Sequence, residues 1–404
     1  MNKKLKILLS AYACEPNKGS EPEVGWKWAV TLSKMGHEVH VVTRLNNKEV
    51  IENYLSKNKI PNLFFIYFDY PKWLLKLIKG KANAYSYFYF YIWQIGIYFA
   101  VKPFIKKIKF DFIHHVTFVS IRIPSFLCFY NVPFIFGPIS GGDKIPIQLR
   151  KKFPYLLMIK EFIRDINNYF IKISPLINVV FFKSHKIYAT SEQTKKLIPL
   201  KFHDKTEQLL AIGSDHFLDK EFNFIEKKKF NICFAGNLIH IKGLSIVLKT
   251  IYKMNLSNID LTIIGTGNIE SELKEKAIKY KINHQIKWLG QINRYDLIQE
   301  FKKSDLLLIP ALRDSGGLVI LEAMSVGVPV ATLNIGGPGI IVNNDCGIKV
   351  NVKNKNEDEI AEEFSMLIND LIINKDKLKY KKIKSLERSK EFSWDKKILT
   401  IYNN

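Results

Sequence analysis

The stretch Arg313-Asp-Ser-Gly-Gly-Leu-Val-Ile-Leu-Glu-Ala-Met-Ser-Val-Gly-Val-Pro-Val330 decides the fold. Just before it, Asp305-Leu-Leu-Leu-Ile-Pro310 is a short apolar run stopped by a proline, which reads as a buried parallel strand. After Gly317 the residues Leu318, Leu321, Met324 and Val328 recur at helical spacing. This predicts a helix starting near the glycine pair, with Asp314 or Ser315 as its N-cap. Strand, glycine turn and helix start aim backbone N–H groups and a positive dipole end at one point, which suits a phosphate. Glu322, about one turn into the helix, and Asp314, on the loop before it, are placed to accept hydrogen bonds from sugar hydroxyls. The plainer reading of the same residues is an ordinary α/β core with two solvated acids.

Outward from that stretch, 404 residues exceed one hydrophobic core and suit two α/β domains. A hydrophobic share of 47% against 25% charged is globular rather than disordered. The formal charge of +23 asks for an anionic partner or surface. Nucleic acid is disfavoured, because the lysines are dispersed and neither zinc-finger spacing nor an RNA-binding aromatic signature is present. Cys14, Cys128, Cys233 and Cys346 are scattered without a Cys-x-x-Cys, which fits a reducing compartment and argues against structural zinc. The first fourteen residues superficially mimic a lipoprotein signal, but their apolar run is short, and a first buried strand is the better reading.

In the first half, Lys6–Ala13 and His37–Thr43 read as strands flanking a helix that ends near Gly36, a right-handed βαβ unit. The 18 residues Ala84–Val101 carry no charge, the lower limit for a membrane span, but their many tyrosines favour an interface. Lys72, Lys76, Lys79 and Lys81 precede this run, and Lys102, Lys106, Lys107 and Lys109 follow it. A helix packed on the first domain, either purely as core or with one face on anionic lipid, is preferred over a span. Phe110–Thr117 reads as a strand ending in His114 and His115, and Val132–Asp143 as a strand followed by a loop containing Gly141 and Gly142. Both loops belong at the ligand edge of an open parallel sheet. Residues 150–186 alternate basic and apolar and form a second candidate for lipid contact, with a solvated charged face as the alternative. A fresh strand at Phe230–Ala235 starts a second Rossmann-like domain. Leu261-Thr-Ile-Ile-Gly-Thr-Gly-Asn268 lacks the third glycine of a dinucleotide fingerprint, so a nicotinamide site is disfavoured.

Asp314, seven intervening residues, Glu322-Ala-Met and a following Gly-Val-Pro-Val resemble the donor motif of retaining GT-B glycosyltransferases of family 4. The Asp-Ser-Gly-Gly version is similar to a subgroup of bacterial surface-polysaccharide assembly. The resemblance covers essentially the whole chain and is strongest from Gly236 to Gly339. It implies an α/β GT-B fold: two doubly wound, Rossmann-like domains with a cleft between them. The expected divisions are an acceptor domain over 1–217, a nucleotide-sugar domain over 218–385 and a closing helix over 386–404. It further implies roles for particular residues. Lys242 grips the diphosphate and Asn237 stands where the family has an arginine. Asp314 replaces the usual glutamate near the sugar, and Glu322 holds the ribose. His114 or His115 lies near the reacting carbon. Gly19 and Ser20 lie near the donor phosphate or the acceptor, while Gly265, Leu289 and Gly290 line the donor pocket. Ser315, Gly316, Gly317 and Leu318 present their backbone to the phosphates, and Gly141 and Gly142 form the cleft wall.

The activity so implied is retaining transfer from a UDP- or GDP-sugar to a lipid-linked or oligosaccharide acceptor, with front-face attack and neither metal nor other cofactor. The expected location is cytoplasmic or peripheral on the inner membrane face, against an anionic surface and without nucleic acid. An epimerase or hydrolase of the same fold, and an inactive nucleotide-sugar-binding homologue, remain as alternatives.

Overall fold

The computed structural model describes residues 3–71, 73–74, 84–151, 153–215 and 229–402. Two parallel sheets organise them. The first comprises β1 (Lys6–Ala11), β2 (Glu38–Arg44), β3 (Leu63–Phe68), β4 (Phe112–Thr117), β5 (Phe134–Ile139), β6 (Ser184–Ala189) and β7 (Thr206–Gln208), in the order β3-β2-β1-β4-β5-β6-β7. The central strands β1, β4 and β5 are apolar runs buried on both faces, as a parallel sheet covered by helices requires. The second comprises β8 (Phe230–Ala235), β9 (Ile259–Ile264), β10 (Ile286–Gly290), β11 (Leu306–Ile309), β12 (Val330–Leu333) and β13 (Gly347–Val350), in the order β10-β9-β8-β11-β12-β13. Each sheet is wound outward one way and then the other, so strand order reverses at β1/β4 and at β8/β11. Ligands in such sheets bind beyond the carboxyl ends of the strands at that reversal.

The chain divides into two compact units. The first is Met1–Gly142, Asp165–Ala211 and Trp394–Asn404; the second is Asp143–Arg164 and Ile212–Ser393. Residues 143–164 therefore group with the second sheet, although the sequence reading assigned them to the first domain. The expected boundary at 217/218 lies outside the described residues, as do Lys72, Lys76, Lys79 and Lys81.

The Ala84–Lys107 helix is a core element of the first unit. Phe90, Trp93, Ile97 and Val101 are fully buried, and the Trp93 indole N–H donates to the Phe68 carbonyl at 3.0 Å. Among the described residues no helix is long and apolar enough to cross a membrane, which removes the spanning alternative for this segment. Tyr87, Phe88 and Phe99 stay exposed on its other side.

The Trp394–Tyr402 helix completes the first unit. Trp394 meets Trp28 edge-on at a ring separation of 6.2 Å. Lys397 is buried between the Trp394 ring, 5.2 Å from its ammonium, and the Leu210 carbonyl, to which it donates. Burial disfavours the ammonium and lowers the Lys397 pKa to about 7. An unfolded chain keeps this lysine charged to near its ordinary value, so between about pH 7 and pH 10 the unfolded state binds more protons. Folding stability contributed by this site therefore rises with pH across that window and is flat below it. Lys397→Met is expected to raise the melting temperature at pH 7, with a gain that shrinks towards pH 10. Calorimetry of both proteins at the two pH values checks this, since their difference isolates the one group.

Candidate functional site

The second sheet gathers its glycine loops at the carboxyl edge. The amide of Gly236 donates to Ile264 O at 3.0 Å, Leu238 N to Thr266 O at 2.9 Å and Gly265 N to Gly290 O at 2.7 Å. These bonds set the ends of β8, β9 and β10 side by side and bring Gly265, Leu289 and Gly290 to one edge. Across the reversal, Leu312 N donates to Ile241 O at 2.8 Å, tying the loop after β11 to the loop after β8.

Lys242 and Asp314 meet at this junction. The ammonium lies 2.6 Å from Asp314 Oδ2, with both side chains only partly exposed. Asp314 Oδ1 accepts from the Gly316 amide at 3.0 Å, and its carbonyl accepts from Gly337 N at 2.8 Å. The glycine turn after β12 packs directly on the turn after β11, since a Cβ on Gly337 would stand 2.3 Å from the Gly316 carbonyl oxygen. The Leu318–Met324 helix starts where the sequence places it, but its N-cap is Gly317, at φ 95, and not Asp314 or Ser315. Asp314 is drawn away from capping because Lys242 and the Gly316 amide already occupy its two oxygens. Ser315 and Leu318 remain part-exposed beside the turn.

Glu322 is buried on that helix and accepts from Arg294 Nε at 2.8 Å. The same guanidinium reaches Asp215 Oδ2 at 3.0 Å. Arg294 begins the Arg294–Lys302 helix, where the Asn293 side chain accepts from Asp296 N as N-cap and fixes the start. The sequence reading missed Arg294, because nothing local marks an arginine as the partner of an acid 28 positions away. It also missed Arg313, which is paired with the buried Glu161. Asn237 is exposed at the edge of the site. His240 lies close by, its ring 6.0 Å from that of Phe153 and its Nε2 3.9 Å from Glu272 Oε2.

The first unit holds the remaining expected residues. Gly19 precedes the Ser20–Lys34 helix at φ 70, with open space where a Cβ would stand. Gly141 lies against Arg122, and Gly142 donates to Thr194 Oγ1 at 3.2 Å. His114 corrects the expectation of a reacting histidine. Its Nε2 donates to the Gly137 carbonyl at 2.7 Å and its Nδ1 accepts from the Tyr402 hydroxyl at 2.5 Å, the pattern of a neutral imidazole. Desolvation lowers its pKa to about 3, so it is a structural ring that anchors the last helix. His115 is also buried, edge-on to Phe90 and Phe136, and desolvation likewise lowers its pKa to about 3. Neither ring reaches solvent, because β4 is covered on both faces.

Two parallel-sheet Rossmann-like domains are the architecture of the GT-B fold class. Residues 215–385 match the family model described as "Glycosyl transferases group 1". The chain is 29% identical to an uncharacterised glycosyltransferase of Methanocaldococcus jannaschii over 34% of its own length and 36% of that protein's. It is 24% identical to the N-acetyl-alpha-D-glucosaminyl L-malate synthase of Bacillus anthracis over 85% of this chain and 83% of that one. In fold, it resembles a Rickettsia africae glycosyltransferase at a TM-score of 0.65 and 15% identity, over 100% and 98% of the two chains. An Anabaena protein solved with UDP and glucose follows at 0.62 and 15%, over 99% and 98%.

His114→Phe is expected to destabilise the protein by about 1–3 kcal/mol, because it leaves the buried Tyr402 hydroxyl and Gly137 carbonyl unpaired. Urea unfolding measures the loss. The folded fraction should keep its turnover within about threefold, whereas a reacting histidine would lose on the order of a hundredfold or more.

Proposed function

We propose that this chain transfers a sugar, with retention of configuration, from a UDP- or GDP-sugar to a lipid-linked glycan in surface-polysaccharide assembly. The observation that carries the reading is the Lys242–Asp314 pair beside the glycine turn, across the β8/β11 reversal. The two charges neutralise each other at rest. A diphosphate entering the turn competes with Asp314 for the ammonium and frees that carboxylate to accept from a sugar hydroxyl. As the bond from sugar to diphosphate breaks, negative charge builds on the departing oxygen. Lys242 and the backbone donors of the turn stabilise it there. Glu322, held in position by Arg294, accepts from the ribose hydroxyls. In this reading cationic and backbone donors neutralise the diphosphate, and no step requires a metal.

One observation favours a second reading. Asn237 removes a bidentate cation from the phosphate loop, which fits a homologue that binds nucleotide sugars without turning them over. The deciding experiment is a thermal-shift panel of nucleotide sugars, followed by product analysis of the best donor with and without a membrane extract as acceptor source. Transfer only with extract supports the proposal. Donor breakdown without acceptor supports a hydrolase or epimerase, and binding without any product supports the inactive homologue.

Two substitutions probe the pair directly and a third probes the phosphate loop. Lys242→Ala should lower kcat/KM about a hundredfold. Asp314→Ala should slow transfer comparably yet bind free UDP or GDP more tightly, because it unmasks the ammonium and removes a negative charge. Titration calorimetry reads that affinity, and an unchanged value in Asp314→Ala would sink the donor-site reading. Asn237→Arg should tighten the same nucleotide severalfold.

A further inference from the structure

The Tyr155–Ile171 helix is amphipathic the wrong way round for a water-soluble surface helix. Tyr155, Ile159, Phe162, Ile166 and Tyr169, spaced by four and three residues, form a stripe that faces outward. Tyr155 is 76% exposed, Phe162 65% and Tyr169 72%. Its buried polar residues lie on the other side, together with the core residue Ile171. Glu161 is 3% exposed and pairs with Arg313 in the second unit, while Asn168 is fully buried and accepts from Arg122 in the first. The stripe runs about 21 Å along the helix, and an exposed apolar surface of that length marks an interaction site.

The charges around it indicate the occupant. Between residues 143 and 183 the chain has eight basic and three acidic side chains. The acids Asp143 and Glu161 are buried and Asp165 is part-buried, whereas Lys151, Lys160, Lys172 and Lys183 are exposed. An outward apolar stripe bordered by outward cations fits the headgroup and acyl boundary of an anionic bilayer. A second copy fits less well, because a two-fold contact through this face would set each basic border against itself. We infer that the Tyr155–Ile171 helix lies in the plane of an anionic phospholipid surface, its apolar stripe among the acyl chains and its lysines at the headgroups. This deepens the acceptor reading given above and rests on it for its purpose. Vesicle binding, however, is read without any sugar donor, so its failure and the failure of the transfer reaction remain distinguishable.

The test is co-sedimentation of the full chain with phosphatidylcholine vesicles, with and without phosphatidylglycerol, at low and high salt. The expected result is pelleting on the anionic vesicles that salt weakens, and little on phosphatidylcholine alone. The triple variant Phe162→Ser, Ile166→Ser, Tyr169→Ser should lower the bound fraction at least about tenfold at unchanged melting temperature and UDP affinity. Lys160→Gln with Lys172→Gln should weaken binding to the anionic vesicles alone. Absence of wild-type pelleting at low salt, or equal pelleting of the triple variant, overturns the inference. So does a wild-type dimer in analytical ultracentrifugation that the triple variant converts to monomer, since the face would then join two copies.

Discussion

An ammonium and a carboxylate 2.6 Å apart, Lys242 and Asp314, stand on either side of the place where the second sheet reverses its winding. The reversal is the structural constraint. Helices on opposite faces of the sheet leave the chain ends of β8 and β11 uncovered, so two loops that are distant in sequence must meet there. A pair so placed holds two opposite charges in a partly desolvated position without a net field. The backbone bonds Leu312 N to Ile241 O and Gly337 N to Asp314 O keep the loops in register around it.

The first sheet has the same reversal at β1/β4 and fills it differently. There the buried Glu21 carboxylate, whose pKa is raised by desolvation, accepts from Phe118 N, and Thr117 Oγ1 accepts from Ala13 N at 3.1 Å. The loops after β1 and β4 are thus closed on one another by their own polar groups. His114 and His115 are committed to the interior behind them. The two reversals are thus filled differently: the second carries an ion pair, while the first is satisfied by uncharged donors and one desolvated acid.

The central strands of both sheets were legible in the sequence as short, mostly apolar runs with the loops that carry chemistry directly after them, whereas β3, β7, β12 and β13 were not read as strands. Lys242, Asp314 and Glu322 stood out for that reason. What could not be read were the partners. Arg294 meets Glu322 from 28 positions upstream, Glu161 meets Arg313 from 152 away, and His114 meets Tyr402 from 288 away. Periodicity tells which residues share a helix face, not which way the face points. His114 looked available because strand ends usually are; only the last helix, docked through Trp394 and Tyr402, shows it to be enclosed. The N-cap at Gly317 was likewise hidden, because Asp314 is a good capping residue until a lysine 72 positions away engages it.

The Glu161–Arg313 pair links these themes. Arg313 immediately precedes Asp314, so the loop after β11 is tethered at its base to the polar side of the Tyr155–Ile171 helix. Removing either member would leave the other as a buried uncompensated charge, which is far costlier than losing an exposed pair. The helix is therefore held with its polar side inward by an interaction the second unit cannot easily give up, and its apolar stripe is turned outward as a consequence. Phe162 and Tyr169 are thereby held exposed on an element fixed beside the charged loop.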